Sequence, residues 1–375
     1  MRIVHVVTLV SDDGAFGGPT SVAVAQLEEC AARGHDVTLV SLWRGRAPAA
    51  RRLAGVPFVS RPAWRVVPGR GCLGLMHPLL LRDLWRAMGH ADVVHLHAGR
   101  DLVSLAGLAV ARLRRKDFVT QTHGMVEPRT GTVARLFDRA FVPLLRRARG
   151  ALVLTERERR ELAAVLGPDG PPLVTLPNGL RCAPEEDGTG TRTDHEVIFL
   201  ARLHPRKRPE AFVEMAALVH KEHTGARFTL YGADEGSLPT VRRLIADRGL
   251  TEVVSYGGAL AHSAALAAYR RAAVYVLPSV QEPFPMTVLE ALAEGTPVVC
   301  TDSSGIAAEL ARRNAALVTD GSPEELADAV GRLLADADLR GRLAGAGRRA
   351  IDEVFSIRAV VDRLEELYRD RPAHG

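Results

Sequence analysis

Lysine is nearly missing from this chain of 375 residues: of its 49 basic side chains only Lys116, Lys207 and Lys221 are lysines. So strong an arginine bias, paired with abundant alanine, points to a GC-rich coding sequence and carries no functional message by itself. Cysteine is scarce too. Cys30, Cys72, Cys182 and Cys300 lie far apart with no Cys-x-x-Cys pair, which excludes a zinc ribbon or a disulfide framework and suits a reducing compartment. Aromatic residues make up 5% of the chain, and its net charge of +5 is small for its length. The basic residues form only short clusters, at Arg112–Lys116, Arg146–Arg149 and Arg206–Arg208. Without a basic stripe interleaved with aromatics, no nucleic-acid partner is expected. Long apolar runs are also lacking. Nothing approaches the ~20 residues that span a bilayer, and the apolar start Ile3–Val10 stops at Ser11-Asp12-Asp13, too short for a signal peptide. The expectation is a cytoplasmic protein, with contact at the inner face of the membrane left open.

What is present is ordinary globular material, 47% hydrophobic and 25% charged, with length for about two domains. Short apolar runs alternate with helical patterns. Strands are expected at Ile3–Val10, Val37–Leu42, Val93–Leu96, Phe118–Thr122, Ala151–Thr155 and Leu173–Leu176, with a helix over about 20–33. Pro177-Asn178-Gly179 ends this series, and the polar stretch Arg181–His195 reads as a boundary. The alternation then restarts, with strands at Val197–Leu200, Arg227–Tyr231, Val253–Tyr256, Val274–Leu277 and Pro297–Thr301. Helices are expected between them at about 210–222, 238–248, 263–271 and 287–294. Continuous apolar strands separated by helices make parallel sheets covered on both faces. The reading is an α/β protein of two Rossmann-like, doubly wound domains, 1–180 and 190–356, facing a central cleft. The amphipathic tail, about 357–375, is placed to cross back onto the first domain.

Chemistry concentrates in one stretch, Ser279-Val280-Gln281-Glu282-Pro283-Phe284-Pro285-Met286-Thr287-Val288-Leu289-Glu290, continuing Ala291-Leu292-Ala293-Glu294-Gly295-Thr296-Pro297. It leaves a strand, passes through a proline-stiffened loop and opens a helix, whose free N–H groups suit a phosphate or sugar hydroxyls. Glu290, in the first turn, has two oxygens to offer the two hydroxyls of a ribose. Thr287-x-x-Glu290 equally spells a capping box, which alone would explain that glutamate. Glu282 by itself reads as a solvated loop residue.

This stretch resembles the E-x7-E signature of the GT4 family of GT-B glycosyltransferases, down to the Phe after the first Glu and the Glu-Ala-Leu-Ala-x-Gly-x-Pro-Val-Val ending. Pro285-Met286 departs from the Gly-plus-aliphatic pair of many members, so the donor sugar is not carried over. Three further segments match in order. In Ala201-Arg202-Leu203-His204-Pro205-Arg206-Lys207-Arg208, the resemblance implies that Arg202 and Lys207 hold the diphosphate, whose departure builds negative charge; Arg206 and Arg208 read as a solvated turn. The loop Gly14-Ala15-Phe16-Gly17-Gly18-Pro19-Thr20 resembles the family's Gly-Gly loop and is not a GxGxxG fingerprint. His123-Gly124 follows a strand where the family places a histidine against the donor sugar and the reaction centre.

The resemblance thus implies a retaining hexosyl-type transferase without cofactor or metal, taking a UDP- or GDP-sugar. His123, Arg202, Lys207 and Glu282 would be its catalytic residues. Gly17, Gly18, Arg202, Lys207, Glu282, Phe284, Pro285, Met286, Thr287 and Glu290 would bind the donor. No carboxylate presents itself as a nucleophile for double displacement; the resemblance implies a front-face route instead, and no DxD pair suggests a metal. The acceptor is unknown. Residues 43–90, with Trp43, Trp64, Arg65, Arg70, Trp85 and Arg86, match the family poorly; they suit a lipid surface, a sugar-stacking or aminocyclitol pocket, or plain loop packing. A glycolipid, polysaccharide or other envelope-glycan role is the first expectation. A small-molecule, aminoglycoside-like pathway is the alternative, and a non-catalytic nucleotide-sugar-binding protein is the alternative from another class.

Overall fold

The computed structural model describes residues 1–12, 17–67, 69, 71–181 and 192–370. Asp13 and Gly14–Phe16 of the glycine loop, Arg70, Cys182 and most of the expected linker lie outside the described residues. The chain divides into two compact units, Met1–Gly179 with Ile357–Gly375, and Leu180–Ser356.

In the first unit β1 (Arg2–Ser11) leads into α1 (Gly17–Ala32) and β2 (Asp36–Arg44). There follow β3 (Arg52–Leu53), β4 (Val56–Pro62), the small β5–β6 pair (Trp64–Arg65, Leu75–Met76) and α2 (Pro78–His90). Then come β7 (Val93–His97), α3 (Leu102–Leu113), β8 (Phe118–Gln121), α4 (Thr132–Leu145), β9 (Gly150–Val153), α5 (Glu156–Leu166) and β10 (Leu173–Thr175). The sheet runs β10-β9-β8-β7-β1-β2-β4-β3, parallel except for the last pair. Alternate residues of β1 feed two cores. Val4 and Val6 pack with α2 and α3, whereas Ile3 and Val7 pack with α1 and the final helix.

The second unit holds β11 (Glu196–Leu200), α6 (Pro209–Glu222), β12 (Arg227–Tyr231), α7 (Leu238–Asp247), β13 (Val254–Gly258), α8 (His262–Arg271) and β14 (Val274–Leu277). After these come α9 (Met286–Ala293), β15 (Val298–Thr301), α10 (Ala307–Arg312), β16 (Leu317–Thr319), α11 (Pro323–Ala335) and α12 (Ala337–Ala350). Its all-parallel order is β13-β12-β11-β14-β15-β16, the doubly wound arrangement whose winding reverses between the first and fourth strands. β11 and β14 are buried along their lengths, from Val197 to Phe199 and from Val274 to Leu277.

The last helix, α13 (Ile357–Arg369), belongs to the first unit. Ile357, Val360, Val361, Leu364 and Tyr368 form its buried stripe at helical spacing. Arg33 pairs with Asp362 at 2.5 Å and His35 with Glu365 at 2.9 Å, which fixes α13 against the end of α1. No described helix is long and apolar enough to cross a membrane.

Candidate active site

In doubly wound sheets ligands sit beyond the carboxyl ends of the strands, where the winding reverses. In the second unit that point lies between β11 and β14, and the loops leaving those two strands carry the predicted charges. After β11 a short 3-10 turn, Pro205–Lys207, ends at Arg208 in the left-handed region with φ 53°. This turn delivers Lys207 to Glu282 of the β14–α9 loop, Nζ to Oε2 2.5 Å, with both side chains largely buried. The loop is held from both sides: Val280 N donates to Arg206 O (3.0 Å), and Gly305 N donates to Glu282 O (2.9 Å). Gln281, at φ 53°, takes the strained turn between them. Glu282, a solvated loop residue on local grounds, is 8% exposed.

Arg202 is exposed and forks onto Glu235, at 2.7 and 3.0 Å. Its backbone has no slack. A Cβ on Gly232 would lie 1.8 Å from Ala201 O and 3.2 Å from Arg202 N, so the turn after β12 fits under Arg202 only as glycine. Arg208 donates to Gly321 O at 2.8 Å, and Arg206 reaches Glu282 only at 3.9 Å.

The capping-box reading of Thr287 and Glu290 is corrected by the structure. Helix α9 begins at Met286 with Pro285 at its N-cap and no side-chain cap. Thr287 is therefore inside the helix, where its hydroxyl accepts a hydrogen bond from Tyr275 at 2.8 Å. Glu290 is the fifth helical residue and not in the first turn. Among the described residues its carboxylate has no hydrogen-bond or ion-pair partner, and its burial raises its pKa above the ordinary value of 4.5. The charge of His262 offsets part of that rise; a half-buried carboxylate with no hydrogen-bond partner among the described residues is a candidate ligand-binding group. Phe284 packs edge-on to Phe355, centroids 6.2 Å apart, and Met286 also lies against the core.

In the first unit the winding reverses between β1 and β7. A cavity of about 420 Å³ opens there, lined among others by Thr8, Gly18, Pro19, Thr20, His97, Arg100, Asp101 and Met125. Gly17 and Gly18 are the first two residues of α1. Asp101 caps α3 through Ser104 N and accepts from Thr8 Oγ1, both at 2.8 Å, in a buried setting that raises its pKa. Arg100, 6% exposed, is clamped by Asp138 at 2.8 and 3.0 Å and by Glu127 O at 2.8 Å. Asp12, beside the glycine loop, accepts from Arg46 N.

His123 stands just past β8 at φ 50°. Glu158, buried on α5, holds it there. Its Oε1 accepts from Thr122 Oγ1 (2.6 Å) and Gly124 N (2.5 Å), while Oε2 accepts from Leu154 N (2.7 Å). The ring meets His97, Nε2 to Nδ1 2.8 Å, and burial pushes its pKa down to about 3. Sequence reasoning passed over Glu158, His5, His95, His97 and Tyr368. The His95-x-His97 pair inside an otherwise aliphatic strand was the available signal.

Two family models divide the chain between them: Glycosyltransferase Family 4 matches residues 16–183, and Glycosyl transferases group 1 matches residues 186–350. A D-inositol 3-phosphate glycosyltransferase of Acidothermus cellulolyticus is 31% identical over 235 residues, 58% of this chain and 52% of that protein. The chain thus spans about half the length of this relative. A D-inositol 3-phosphate glycosyltransferase of Pseudarthrobacter chlorophenolicus is 27% identical over 330 residues, 79% of this chain and 78% of that protein. Among solved structures, Anabaena HepE in complex with UDP superposes with a TM-score of 0.74 at 16% identity, covering 98% of this chain and 99% of that one. At that identity the likeness speaks for the GT-B fold alone. With both family models matched in sequence order and the fold in place, the chain belongs to the GT4 glycosyltransferases of the GT-B fold.

Proposed function

We propose that the protein is a retaining, metal-independent glycosyltransferase that moves a sugar from a UDP- or GDP-sugar onto an acceptor hydroxyl. The observation that carries this reading is the half-buried Glu290 carboxylate, without a hydrogen-bond partner among the described residues, on the helix that follows the loop of the Lys207–Glu282 pair. In this reading Glu290 accepts the ribose hydroxyls. Lys207 and Arg202 turn from their carboxylates toward the diphosphate and stabilise it as it leaves. Glu282, relieved of Lys207, holds the sugar, and His123 faces the sugar and the reacting carbon. With the diphosphate neutralised by these two cations, the acceptor proton passes to it on the side the leaving group departs from. The first unit's cavity, mostly apolar with Asp101 and Arg100 at its wall, is the place assigned to the acceptor.

For the acceptor, a glycolipid or other envelope glycan is supported by exposed apolar residues in one stretch of the chain. Trp64, Val66, Val67, Leu79, Leu81 and Trp85 are all exposed, and between Trp64 and Arg86 the sole acidic residue, Asp83, is buried and paired with Arg61. Trp, Leu and Arg without exposed acids suit an anionic lipid face. A small polyol acceptor is the second reading, favoured by the name that the two relatives share.

The test is thermal stabilisation by UDP, GDP, dTDP and their sugars in excess EDTA. A ligand at about 100 times its Kd adds roughly 2.7 kcal/mol. Selective stabilisation by one nucleotide, unchanged by EDTA, is expected; no shift with any of them would overturn the donor site. Retention is then read from the anomeric configuration of the product.

A further inference from the structure

One face of the first unit's sheet carries histidines where aliphatic side chains are the rule for a strand buried on both sides. His5 on β1 and His95 on β7 are register partners, and His97 stands two residues further along, on the same face. All three are buried, as is Tyr368 of α13. Their contacts make an unbranched chain. His123 Nε2 lies 2.8 Å from His97 Nδ1, and His97 Nε2 lies 3.1 Å from His5 Nδ1. His5 Nε2 is 3.2 Å from the Tyr368 hydroxyl, which is 2.7 Å from His95 Nδ1. There the chain stops: among the described residues His95 Nε2 is buried without a partner.

A dead end of this kind fixes the direction of every bond. Burial pushes the pKa of all four histidines down, so each ring is neutral and has one N–H and one bare nitrogen. A proton on His95 Nε2 would be an orphaned buried donor, rarer and costlier than an under-used acceptor. The proton therefore sits on Nδ1 and is donated to the Tyr368 oxygen. The Tyr368 hydroxyl donates to His5 Nε2, His5 Nδ1–H to His97 Nε2, and His97 Nδ1–H to His123 Nε2. His123 keeps its own proton on Nδ1. The opposite direction strands either His95 Nε2–H or the Tyr368 O–H.

We propose that His5, His95, His97 and Tyr368 are positioning residues that lock His123 in its Nδ1–H tautomer. His123 then presents a hydrogen-bond donor to a sugar oxygen and has no free ring nitrogen to act as a base. The role toward the sugar rests on the transferase reading above; the lock itself does not. A metal is the competing use of the cluster, since His5, His95 and His97 each offer a nitrogen within 4.8 Å of the others. The rings of His95 and His97, however, stack at 4.5 Å and 9°. An ion in the plane of one ring is out of the plane of the other, and the hydrogen bonds already engage both nitrogens of His97.

Long-range ¹H–¹⁵N spectra of the full-length ¹⁵N-labelled protein read the tautomers directly, with His123→Asn used to assign His123. The expected result is the Nδ1–H form for His5, His95, His97 and His123 alike. An Nε2–H form at His123 overturns the proposal, and this needs only the wild-type protein. In Tyr368→Phe, His5 Nε2 is left without a neighbour and by the same rule stays bare, so His5, His97 and His123 are expected to keep their Nδ1–H forms; an Nε2–H form at His123 in that folded variant also overturns it. Equimolar zinc chloride that moves the His5, His95 and His97 signals together would replace the lock with a metal site. The readout is a proton position and not turnover, so failure here leaves the transferase reading intact. Failure of nucleotide binding leaves the lock intact.

Discussion

Both units place polar residues where their winding reverses, yet they fill that position with opposite chemistry. The second unit sets charges there, Lys207 on Glu282 and Arg202 on Glu235, with Glu290 waiting nearby. The first unit sets neutral imidazoles in a dry layer and keeps its charged Arg100 clamped by Asp138. Mobile ion pairs suit a ligand that arrives with a diphosphate, because the cations exchange one anionic partner for another at little net cost. A neutral network suits sugar hydroxyls, for which an uncompensated buried charge is a penalty. The topology decides where each site is; the charge state of its residues decides what it is for.

The firmest way to break this contrast is at Glu158, which should show the largest effect. Glu158→Ala orphans the Thr122 hydroxyl and the N–H groups of Gly124 and Leu154. An unsatisfied buried donor costs about 1–3 kcal/mol; with Thr122 buried and the Gly124 and Leu154 N–H groups only partly so, the three together fall short of the full sum of about 9 kcal/mol, and a loss of about 3–6 kcal/mol is expected in urea denaturation. A variant within 1 kcal/mol of wild type would show that the loop bearing His123 is not held as argued.

Next comes Lys207→Ala, which attacks the charged unit. Loss of a group that stabilises a leaving anion costs about 10²–10³ in kcat, measured with the donor found by thermal shift. Breaking the buried pair should also lower stability, because Glu282 is left without its cation. A kcat within threefold of wild type would remove Lys207 from the reaction. Arg206→Ala is the control, since its guanidinium approaches Glu282 only at 3.9 Å and lies exposed.

Glu290→Gln separates binding from folding. Hydrogen bonds to a charged group contribute about 1.5–3 kcal/mol, so nucleotide Kd should rise roughly 10-fold or more. Stability should move the other way. Burial raises the Glu290 pKa in the folded state above 4.5, so the native protein holds this proton more tightly than the unfolded chain does. The group's contribution is thus most favourable at low pH and is lost as pH rises from the ordinary glutamate range through the raised folded value. Glu290→Gln should melt no lower than wild type at neutral pH, with the difference closing in acid. A melt that falls at neutral pH would mean that Glu290 holds the fold and is not kept for a ligand.

The positions of these sites were largely legible in the sequence because continuous apolar strands have one solution, a covered parallel sheet, and its loops carry the glycine, proline and charged residues. The charged residues of the second unit were legible for the same reason: Lys207 and Glu282 each sit a few residues past a strand. What escaped was whatever depends on long-range meeting. Tyr368 joins His95 across 273 residues, and Glu158 serves a loop 36 residues before it. Glu290 was half-read, since a helix beginning one residue earlier turned an apparent cap into a free carboxylate. No local pattern distinguishes those two helix starts; the bond from Tyr275 to Thr287 does.

The smallest expected effect is also the one that sharpens the comparison most. The Arg202–Glu235 fork is exposed on both sides, and such pairs contribute about 0.2–1 kcal/mol. Glu235→Gln should therefore leave the melt almost unmoved. If the second unit keeps its cations on exchangeable partners, removing this partner removes a competitor, and nucleotide should bind about 1.4-fold to fivefold tighter, as the same small energy predicts. Raising the salt should shrink the difference, because the pair is screened in water. Weaker binding in Glu235→Gln would instead mean that Glu235 holds Arg202 in place for the diphosphate. The charged site would then be preorganised like the histidine layer, and the contrast between exchange in one unit and rigidity in the other would fail.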